Sequence, residues 1–167
     1  AVTVQLSKGD LDDPLKALEM GQEGDVVVVD AGGDLNTSVC GGLMGGLAQN
    51  RGIRGMIVDG AGRDTDELEE INWPIWTRAI TPRGTHTMFS ERREELSINV
   101  PIACGGVVVN PGDFIVADLM GVVVVPLESA EEVVRLAQEQ ADREVATRAW
   151  VAQGKTVEDL LNEFGRI

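Results

Sequence analysis

The sequence predicts an α/β fold organised as one globular domain over residues 1–167. Short runs of β-branched residues, bounded by glycine or proline, alternate with segments of helical hydrophobic spacing. The chain has 167 residues, of which 43% are hydrophobic, enough to bury a core. No apolar run approaches the roughly 18 residues that a membrane-spanning helix needs. We therefore expect a domain with no membrane partner.

Six of the short runs are predicted to be strands buried on at least one face. They are rich in valine and isoleucine and are punctuated by turn residues. In chain order they are DVVVVDAGG (25–33), GMIVDG (55–60), PIWTRAI (74–80), PIACGGVVVN (101–110), DFIVADL (113–119) and GVVVVP (121–126).

Helices are predicted between and after these strands. The first, from about residue 37 to 50, has Thr37 or Ser38 available as its N-cap. The second, 64–71, begins with acidic residues, as a helix start prefers. The third, from 129 to about 153, is followed after a Gly-Lys break by the amphipathic segment TVEDLLNEF. Its apolar positions at near-helical spacing are Val133, Leu136, Ala137 and Val145.

Two segments repeat a pattern. EGDVVVVDAGG (23–33) and PGDFIVADLMG (111–121) each join a Gly-Asp turn to an apolar strand, an aspartate and a glycine-containing turn. Recurrent turn chemistry explains this similarity. Two related β-units packed against each other remain the alternative.

The charge of the chain limits its partners and compartment. A formal charge of -14 and a pI near 4.3 repel phosphate backbones, and Arg92 and Arg93 form only a small basic pair. We therefore expect no nucleic-acid partner. The first residues lack the features of a signal peptide, and two cysteines make no disulfide framework. These features favour a reducing cytoplasm.

The chain lacks the residues that several common kinds of catalytic site require. The single histidine, His86, cannot build a histidine metal site, and we interpret it as a surface or subunit-contact residue. Lys8, Lys16 and Lys155 lie in polar surroundings that would not lower a lysine pKa for imine chemistry. Cys40 is interpreted as a small buried residue rather than a reactive thiolate.

The segment SVCGGLMGGLAQNRG (38–52) places four glycines in the first turns of a helix. Each costs about 1 kcal/mol relative to alanine, so some other contact must offset them. Close helix packing is one explanation. A carboxylate ligand on the amides at the helix N-terminus is the other, since no nucleotide-binding glycine motif is present.

Arg63 and Asp64 follow a buried strand in the segment GMIVDGAGRDTDEL (55–68). An arginine there can clamp a carboxylate or enolate with two hydrogen bonds, and the aspartate can hold a hard divalent cation. A turn salt bridge with Asp64 as helix N-cap is the alternative interpretation.

Three blocks in this order resemble the RraA-like family: GGLMGGLAQNRGIRGMIVDGAGRD (41–64), WPIWTRAITPRGT (73–85) and NVPIACGGVVVNPGDFIVADLMGVVVVP (99–126). The resemblance extends from Ala1 to about Arg148. It implies a swivelling β/β/α sandwich assembled as a trimer or hexamer, with active sites between subunits. Compared with the family, the chain is expected to lack an N-terminal helical segment.

The enzymes of this family are the 4-hydroxy-4-methyl-2-oxoglutarate and 4-carboxy-4-hydroxy-2-oxoadipate aldolases. The resemblance implies a substrate-clamping arginine at Arg63, a metal aspartate at Asp64, and at Glu144 a carboxylate that assists proton transfer in a neighbouring subunit's site. It implies a substrate-binding backbone at Gly41, Gly42, Leu43 and Met44.

The implied reaction is cleavage of a 4-hydroxy-2-oxo acid to pyruvate and a second oxo acid, with oxaloacetate decarboxylation as a side activity. Asp64 would hold Mg2+ or Mn2+ as a Lewis acid, Arg63 would stabilise the enolate, and water or Glu144 would move the protons. The alternative is a non-enzymatic regulator that binds and inhibits a ribonuclease. A methyltransferase is disfavoured because no adenosylmethionine glycine loop is present.

The chain departs from the family at several positions. Gly42 stands where the aldolases commonly have an acidic residue, Leu119 and Met120 replace an acidic run, and HTMFSERREELSI (86–98) lengthens the segment after Gly84. These departures leave the identity of the substrate open.

Overall fold

The computed structural model describes residues 1–6, 10, 12–85 and 96–165. These residues form two compact units, Ala1–Leu127 and Glu128–Ile167. The prediction of one domain over residues 1–167 stays a prediction. The α/β class is confirmed, because parallel strands alternate with helices in the first unit.

A parallel sheet forms the centre of the first unit. Its strand order is β1-β2-β3-β4, and each neighbouring pair is parallel. In chain order its strands and helices are β1 (Val2–Gln5), α1 (Asp12–Met20), β2 (Val26–Cys40), α2 (Gly42–Asn50), β3 (Gly55–Gly62), α3 (Thr65–Glu70) and β4 (Ile75–Ile80).

The two faces of this sheet bury separate apolar clusters. Because side chains alternate along a strand, Val27 and Val29 point to one face while Val28 points to the other. The first face packs with Ala17 and Leu18 of α1, Ala48 of α2 and Leu68 of α3. On the second face Val28 and Ile57 pack with Ile102 and Val109.

Two antiparallel hairpins follow the sheet: β5 (Ile102–Cys104) with β6 (Val107–Val109), and β7 (Phe114–Asp118) with β8 (Gly121–Val125). The prediction of one strand over 101–110 is therefore wrong. Gly105 and Gly106 have φ angles of 60° and 81°, a left-handed conformation that reverses the chain between β5 and β6.

The start of the chain and the end of β2 also differ from the prediction. The sequence pattern predicts neither β1 nor α1. The predicted start of the first helix, at about residue 37, is too early, because β2 continues beside β3 as far as the pair Cys40 and Gly62. The N-cap of α2 is consequently Gly41 rather than Thr37 or Ser38.

The second unit consists mainly of two helices, α4 (Ala130–Ala152) and α5 (Val157–Phe164), close to their predicted positions. Thr156 begins α5 with a capping box in which its hydroxyl accepts a hydrogen bond from the Asp159 N–H. The rings of Trp150 and Phe164 meet edge-on, with centroids 5.4 Å apart. No described helix combines the length and apolar character required to cross a bilayer.

The repeated pattern in the sequence corresponds to shared turn chemistry. Gly24 and Gly112 have φ angles of 94° and 90°. The carboxylates of Asp25 and Asp113 each accept a hydrogen bond from the backbone N–H three residues earlier. The strands that follow are organised differently, because β2 lies in the parallel sheet and β7 in a hairpin.

Candidate active site

The carboxyl end of β3 presents Arg63 and Asp64. Every residue of β3 is buried. A Cβ on Gly60 would lie 2.9 Å from the Cβ of Ala31, so glycine permits the close approach of β2. The N–H of Arg63 donates to the carbonyl of Cys40 at 2.9 Å, which holds this end of β3 against the end of β2.

Asp64 directs its carboxylate toward α2 instead of capping its own helix. It is the N-cap residue of α3, but its side chain makes no capping hydrogen bond there. Its φ of 54° is left-handed, a conformation that costs of order 1 kcal/mol or more and persists where surrounding contacts impose it. Its Oδ2 accepts a hydrogen bond from the N–H of Gly42 at 3.1 Å.

Arg63 and Asp64 also form an ion pair, with Nε and Oδ2 3.3 Å apart. The salt bridge of the alternative interpretation is thus present, while the side-chain cap is not. One carboxylate oxygen therefore joins three features: the guanidinium, the start of α3 and the first amide of α2.

The first two glycines of the glycine-rich segment make room for these side chains. A Cβ on Gly41 would lie 2.9 Å from Arg63 Nε. A Cβ on Gly42 would lie 2.8 Å from the carboxyl carbon of Glu67. The space that a side chain at position 42 would need is therefore filled by Glu67 of α3.

Glu67 was not identified from the sequence as a site residue. Its signal was its place three residues after Asp64, in the acidic start of a helix, which was interpreted as helix-dipole chemistry alone. Because α2 has no acidic residue in its own first turn, Asp64 and Glu67 supply the negative charge at its N-terminus.

Gly45 and Gly46 differ in whether close helix packing explains the presence of glycine. A Cβ on Gly45 would lie 3.1 Å from the ring of Trp73, which is the close packing that one explanation required. A Cβ on Gly46 would meet nothing within 4 Å, so no packing contact explains this glycine.

A pocket of about 100 Å³ lies beside Arg63. Burial, and secondarily the charge of Asp64, raise the pKa of the Cys40 thiol to about 12, so this thiol stays protonated at neutral pH. This agrees with the interpretation of Cys40 as a buried, unreactive residue. The residues lining the pocket are Ser38, Val39, Cys40, Gly41, Leu43, Met44, Arg63, Gly84 and Thr85.

The loop after β4 closes the other side of Arg63. Its backbone is anchored twice: the N–H of Thr81 donates to Gly62 at 2.9 Å, and the N–H of Ser38 donates to the carbonyl of Arg83 at 2.8 Å. A Cβ on Gly84 would lie 2.8 Å from Arg63 Nη1, so the backbone of the loop closely approaches the guanidinium at this glycine.

Most of the predicted site residues come together in the first unit: Gly41, Gly42, Leu43, Met44, Arg63 and Asp64. Glu144 lies in α4 of the second unit, where its carboxylate accepts hydrogen bonds from Gln140 and Arg148, each at 3.2 Å. His86 and most of the lengthened segment lie outside the described residues. Leu119 and Met120 are fully exposed between β7 and β8.

A second, larger cavity of about 330 Å³ lies on the second face of the sheet, where Val28 and Ile57 line it. At its polar end the buried Asp59 forms an ion pair with Arg78 and accepts a hydrogen bond from the N–H of Gly105 at 2.8 Å. Burial and the charge of Asp59 raise the pKa of the Cys104 thiol to about 11. Nothing in the sequence pattern predicts that Asp59, Arg78 and Cys104 form a cluster.

Comparison with known proteins identifies the family of the chain. A sequence profile described as "RraA-like: Aldolase/RraA" matches residues 1–124, which include the whole Arg63 pocket. A protein of Halalkalibacterium halodurans, provisionally named 4-hydroxy-4-methyl-2-oxoglutarate aldolase, is 43% identical over 150 residues. The match covers 89% of this chain and 69% of the relative.

Two solved structures share the fold. The crystal structure of an uncharacterized protein from Pseudomonas syringae pv. tomato matches with a TM-score of 0.84 at 29% identity, covering 98% of this chain and 74% of that chain. RraAS2 of Streptomyces coelicolor, described as an unusual member of the RNase ES inhibitor RraA protein family, matches with a TM-score of 0.76 at 34% identity. That match covers 89% of this chain and 75% of the other. The profile match and the relatives agree with the motifs and the fold, and the chain therefore belongs to the RraA-like family.

Proposed function

We propose that the protein is a divalent-metal-dependent aldolase that cleaves a 4-hydroxy-2-oxo acid to pyruvate and a second oxo acid. The observation that carries this proposal is the contact of Arg63 and Asp64 with each other and with the start of α2, beside a small pocket. The name of the Halalkalibacterium halodurans relative supports the same chemistry.

Substrate binding in this proposal uses the backbone at the start of α2 and the side chain of Arg63. The first-turn amides of a helix lack intrahelical partners and favour a carboxylate. Leu43 and Met44 line the pocket in that turn, so their N–H groups are the proposed donors to the substrate carboxylate. A pocket of about 100 Å³ suits the three-carbon oxo-acid part of the substrate rather than a nucleotide.

The residues present suit a hydrated Mg2+ or Mn2+ rather than an ion enclosed by protein ligands. The described residues contain no group of three or more His, Cys, Asp or Glu side chains that could hold a metal ion. Mg2+ commonly keeps several waters and binds through one or two carboxylates plus substrate oxygens. Asp64 supplies such a carboxylate, with its side chain 34% exposed. When bound there, the ion would act as a Lewis acid on the substrate.

The bond that breaks is C3–C4 of the substrate. Its electron pair passes into the C2–C3 bond and generates the pyruvate enolate, while the C4 hydroxyl loses its proton and becomes the carbonyl of the second product. Arg63 stabilises the charge that develops on the enolate oxygen, because a fixed guanidinium needs no reorganisation during the reaction. A proton added at C3 completes pyruvate.

The two proton transfers need a general base and a general acid. Water, or Glu144 of a neighbouring subunit, is proposed to accept the hydroxyl proton and return one to C3. Oxaloacetate is the proposed substrate of a side reaction, since loss of CO2 from its C4 leaves the same enolate.

Regulation of a ribonuclease is the second candidate function. The similarity to RraAS2 of Streptomyces coelicolor and the formal charge of -14 favour it, since a strongly acidic surface suits a basic partner. Pull-down with basic ribonuclease segments tests this candidate separately from catalysis.

A pyruvate-release assay with Mg2+ over a panel of 4-hydroxy-2-oxo acids and oxaloacetate tests the aldolase proposal. We expect pyruvate from at least one 4-hydroxy-2-oxo acid, and none from the Arg63→Ala variant. Equal pyruvate release by wild type and Arg63→Ala would contradict the proposal, as would a complete lack of release by wild type across the panel.

A further inference from the structure

The pocket beside Arg63 contains two side-chain hydroxyls that the proposed mechanism does not use, those of Ser38 and Thr85. The hydroxyl of Ser38 donates to the carbonyl of Cys40 at 3.0 Å, and the Cys40 thiol contacts the carbonyl of Gly41 at 3.8 Å. Both polar side chains are therefore directed to backbone. Among the residues described around this pocket, Arg63 and Thr85 remain as side chains able to hydrogen-bond a ligand.

The surroundings of Arg63 define two sides of the guanidinium. On one side Nε lies 3.3 Å from Asp64 Oδ2, next to the start of α2. On the other side Nη1 approaches Gly84, the residue before Thr85. The guanidinium thus lies between the proposed carboxylate and cation positions and the segment that carries Thr85.

The order of atoms in the substrate matches this arrangement. In the proposed binding mode the carboxylate of the 2-oxo acid lies at the α2 amides and its C2 oxygen at Arg63, which leaves the side of the pocket lined by Gly84 and Thr85 for C3 and C4. A threonine hydroxyl can both donate and accept a hydrogen bond, so it can bind and orient another hydroxyl group.

We propose that the Thr85 hydroxyl binds the C4 hydroxyl of the substrate and so selects 4-hydroxy-2-oxo acids for carbon–carbon cleavage. This inference rests on the proposed aldolase function. By fixing the C4 hydroxyl, Thr85 directs its proton toward the base that accepts it as C3–C4 breaks. Oxaloacetate has no C4 hydroxyl proton to transfer as C3–C4 breaks, so its decarboxylation does not need Thr85 to orient that proton.

The test compares two reactions in the same variants. Thr85→Val removes the hydroxyl and keeps the shape of the side chain, and Thr85→Ser restores a hydroxyl. Thr81→Val is the matched control, because Thr81 is in the same loop but does not line the pocket. For each protein we would measure kcat/KM for the best 4-hydroxy-2-oxo acid, kcat/KM for oxaloacetate, and inhibition by oxalate, which lacks C3 and C4.

For Thr85→Val we expect kcat/KM for the 4-hydroxy-2-oxo acid to fall about tenfold, the effect of losing one hydrogen bond to the reacting group. Oxaloacetate decarboxylation and the inhibition constant of oxalate should stay within about twofold of wild type. Thr85→Ser should recover most of the lost activity, and Thr81→Val should behave as wild type. If Thr85→Val does not fold, Thr85→Ala takes its place in the comparison.

An equal loss in both reactions, or no loss in either, would overturn the assignment of Thr85 and leave the aldolase proposal intact. A wild-type protein that releases no pyruvate from any 4-hydroxy-2-oxo acid would instead reject the aldolase function and this inference with it.

Discussion

Asp64 Oδ2 accepts a hydrogen bond from the backbone N–H of Gly42 at 3.1 Å, which joins the start of α3 to the start of α2. The contact orients the carboxylate while Arg63 Nε, 3.3 Å from the same oxygen, partly neutralises it. A carboxylate that two partners hold in place loses little conformational freedom when a cation binds.

Removal of divalent cations should abolish pyruvate release. We expect activity to disappear in EDTA and to return with excess Mg2+ or Mn2+, because the proposed site depends on one carboxylate and solvent rather than on an enclosed set of ligands. The measurement is initial rate against free cation concentration. Full turnover in chelator, or a borohydride-trapped pyruvate adduct on a lysine, would reject the metal-dependent mechanism.

Gly42→Ala should destabilise the protein because of Glu67. The new Cβ would lie 2.8 Å from the Glu67 carboxyl carbon, and overpacking of this kind costs about 1–3 kcal/mol. Truncation of Glu67 in the double variant Gly42→Ala/Glu67→Ala should recover only part of the loss, because the Cβ of residue 67 would still lie 2.9 Å from the new Cβ. Urea denaturation of the two single variants and the double variant measures the coupling between the residues.

Gly46→Ala is the matched control for this pair. It lies in the same helix, and a Cβ there would meet nothing within 4 Å. Alanine should therefore stabilise the protein by up to about 1 kcal/mol through helix propensity. Equal stability changes for Gly42→Ala and Gly46→Ala would show that Glu67 does not fill the space beside residue 42.

Helices and strands could be predicted from the sequence wherever the local hydrophobic pattern and turn residues determine them. β3 is a short apolar run that ends in glycines, so the positions of Arg63 and Asp64 at its end were predictable. The start of α2 was not, because Thr37 and Ser38 resemble N-cap residues. Pairing of β2 with β3 as far as Cys40 is a contact between distant segments and overrides that local preference.

The rest of the site depends on contacts between segments far apart in sequence. Glu67 lies at the site because it packs on Gly42. Thr85 lines the pocket because the N–H of Ser38 donates a hydrogen bond to the carbonyl of Arg83, which holds the loop against the end of β2. Neither contact leaves a periodic signal in the chain. The family resemblance assigned Arg63 and Asp64 their roles, and the structure adds the neighbours that orient them.

Stability should fall as pH rises from about 9 to about 12 because of Cys40. Burial raises the pKa of this thiol from its ordinary 9.0 to about 12 in the folded protein. Above pH 9 the unfolded chain releases this proton while the folded chain retains it, so unfolding becomes more favourable. The contribution of the buried, protonated Cys40 thiol to the free energy of unfolding is complete below pH 9 and is lost as the pH rises through the folded pKa.

Urea denaturation of wild type and Cys40→Ala at pH 8 and pH 10.5 measures this effect. The loss of unfolding free energy between the two pH values should be smaller in the variant, which lacks the thiol. Cys104→Ala is the comparison, since burial raises the pKa of that thiol to about 11. An identical pH dependence in wild type and Cys40→Ala would show that the Cys40 thiol does not cause the loss of stability above pH 9.

The protein should form a trimer or a hexamer in solution. Apolar side chains are exposed on α4 and on the β7–β8 hairpin, among them Val134, Val145 and Val123. Exposed apolar surface commonly marks an interaction site, and closed symmetric assemblies are its usual outcome. Light scattering gives the mass directly. A monomer at micromolar protein concentration would exclude an active site shared between subunits, including the proposed role of Glu144.

Arg63→Lys and Asp64→Ala should fail in different ways, because Arg63 is proposed to bind the anion and Asp64 the cation. Lysine keeps the charge but loses the planar pair of donors, so Arg63→Lys should lower the rate about 10²- to 10³-fold with cation binding near normal. Asp64→Ala should remove the dependence of any residual rate on Mg2+. Mn2+ binding, followed by electron paramagnetic resonance without substrate, separates the two effects.

A purely structural ion pair predicts a different result for the same two variants. If Arg63 and Asp64 only stabilise the turn between β3 and α3, both substitutions should lower the melting temperature, and neither should change Mn2+ binding selectively. Because their side chains are 44% and 34% exposed, such a bridge would contribute only about 0–1 kcal/mol, too little to account for a large loss of rate. Near-native melting, lost lyase activity and weakened Mn2+ binding in Asp64→Ala alone would therefore identify a catalytic pair, whereas matched destabilisation with retained specific activity would assign it to the turn.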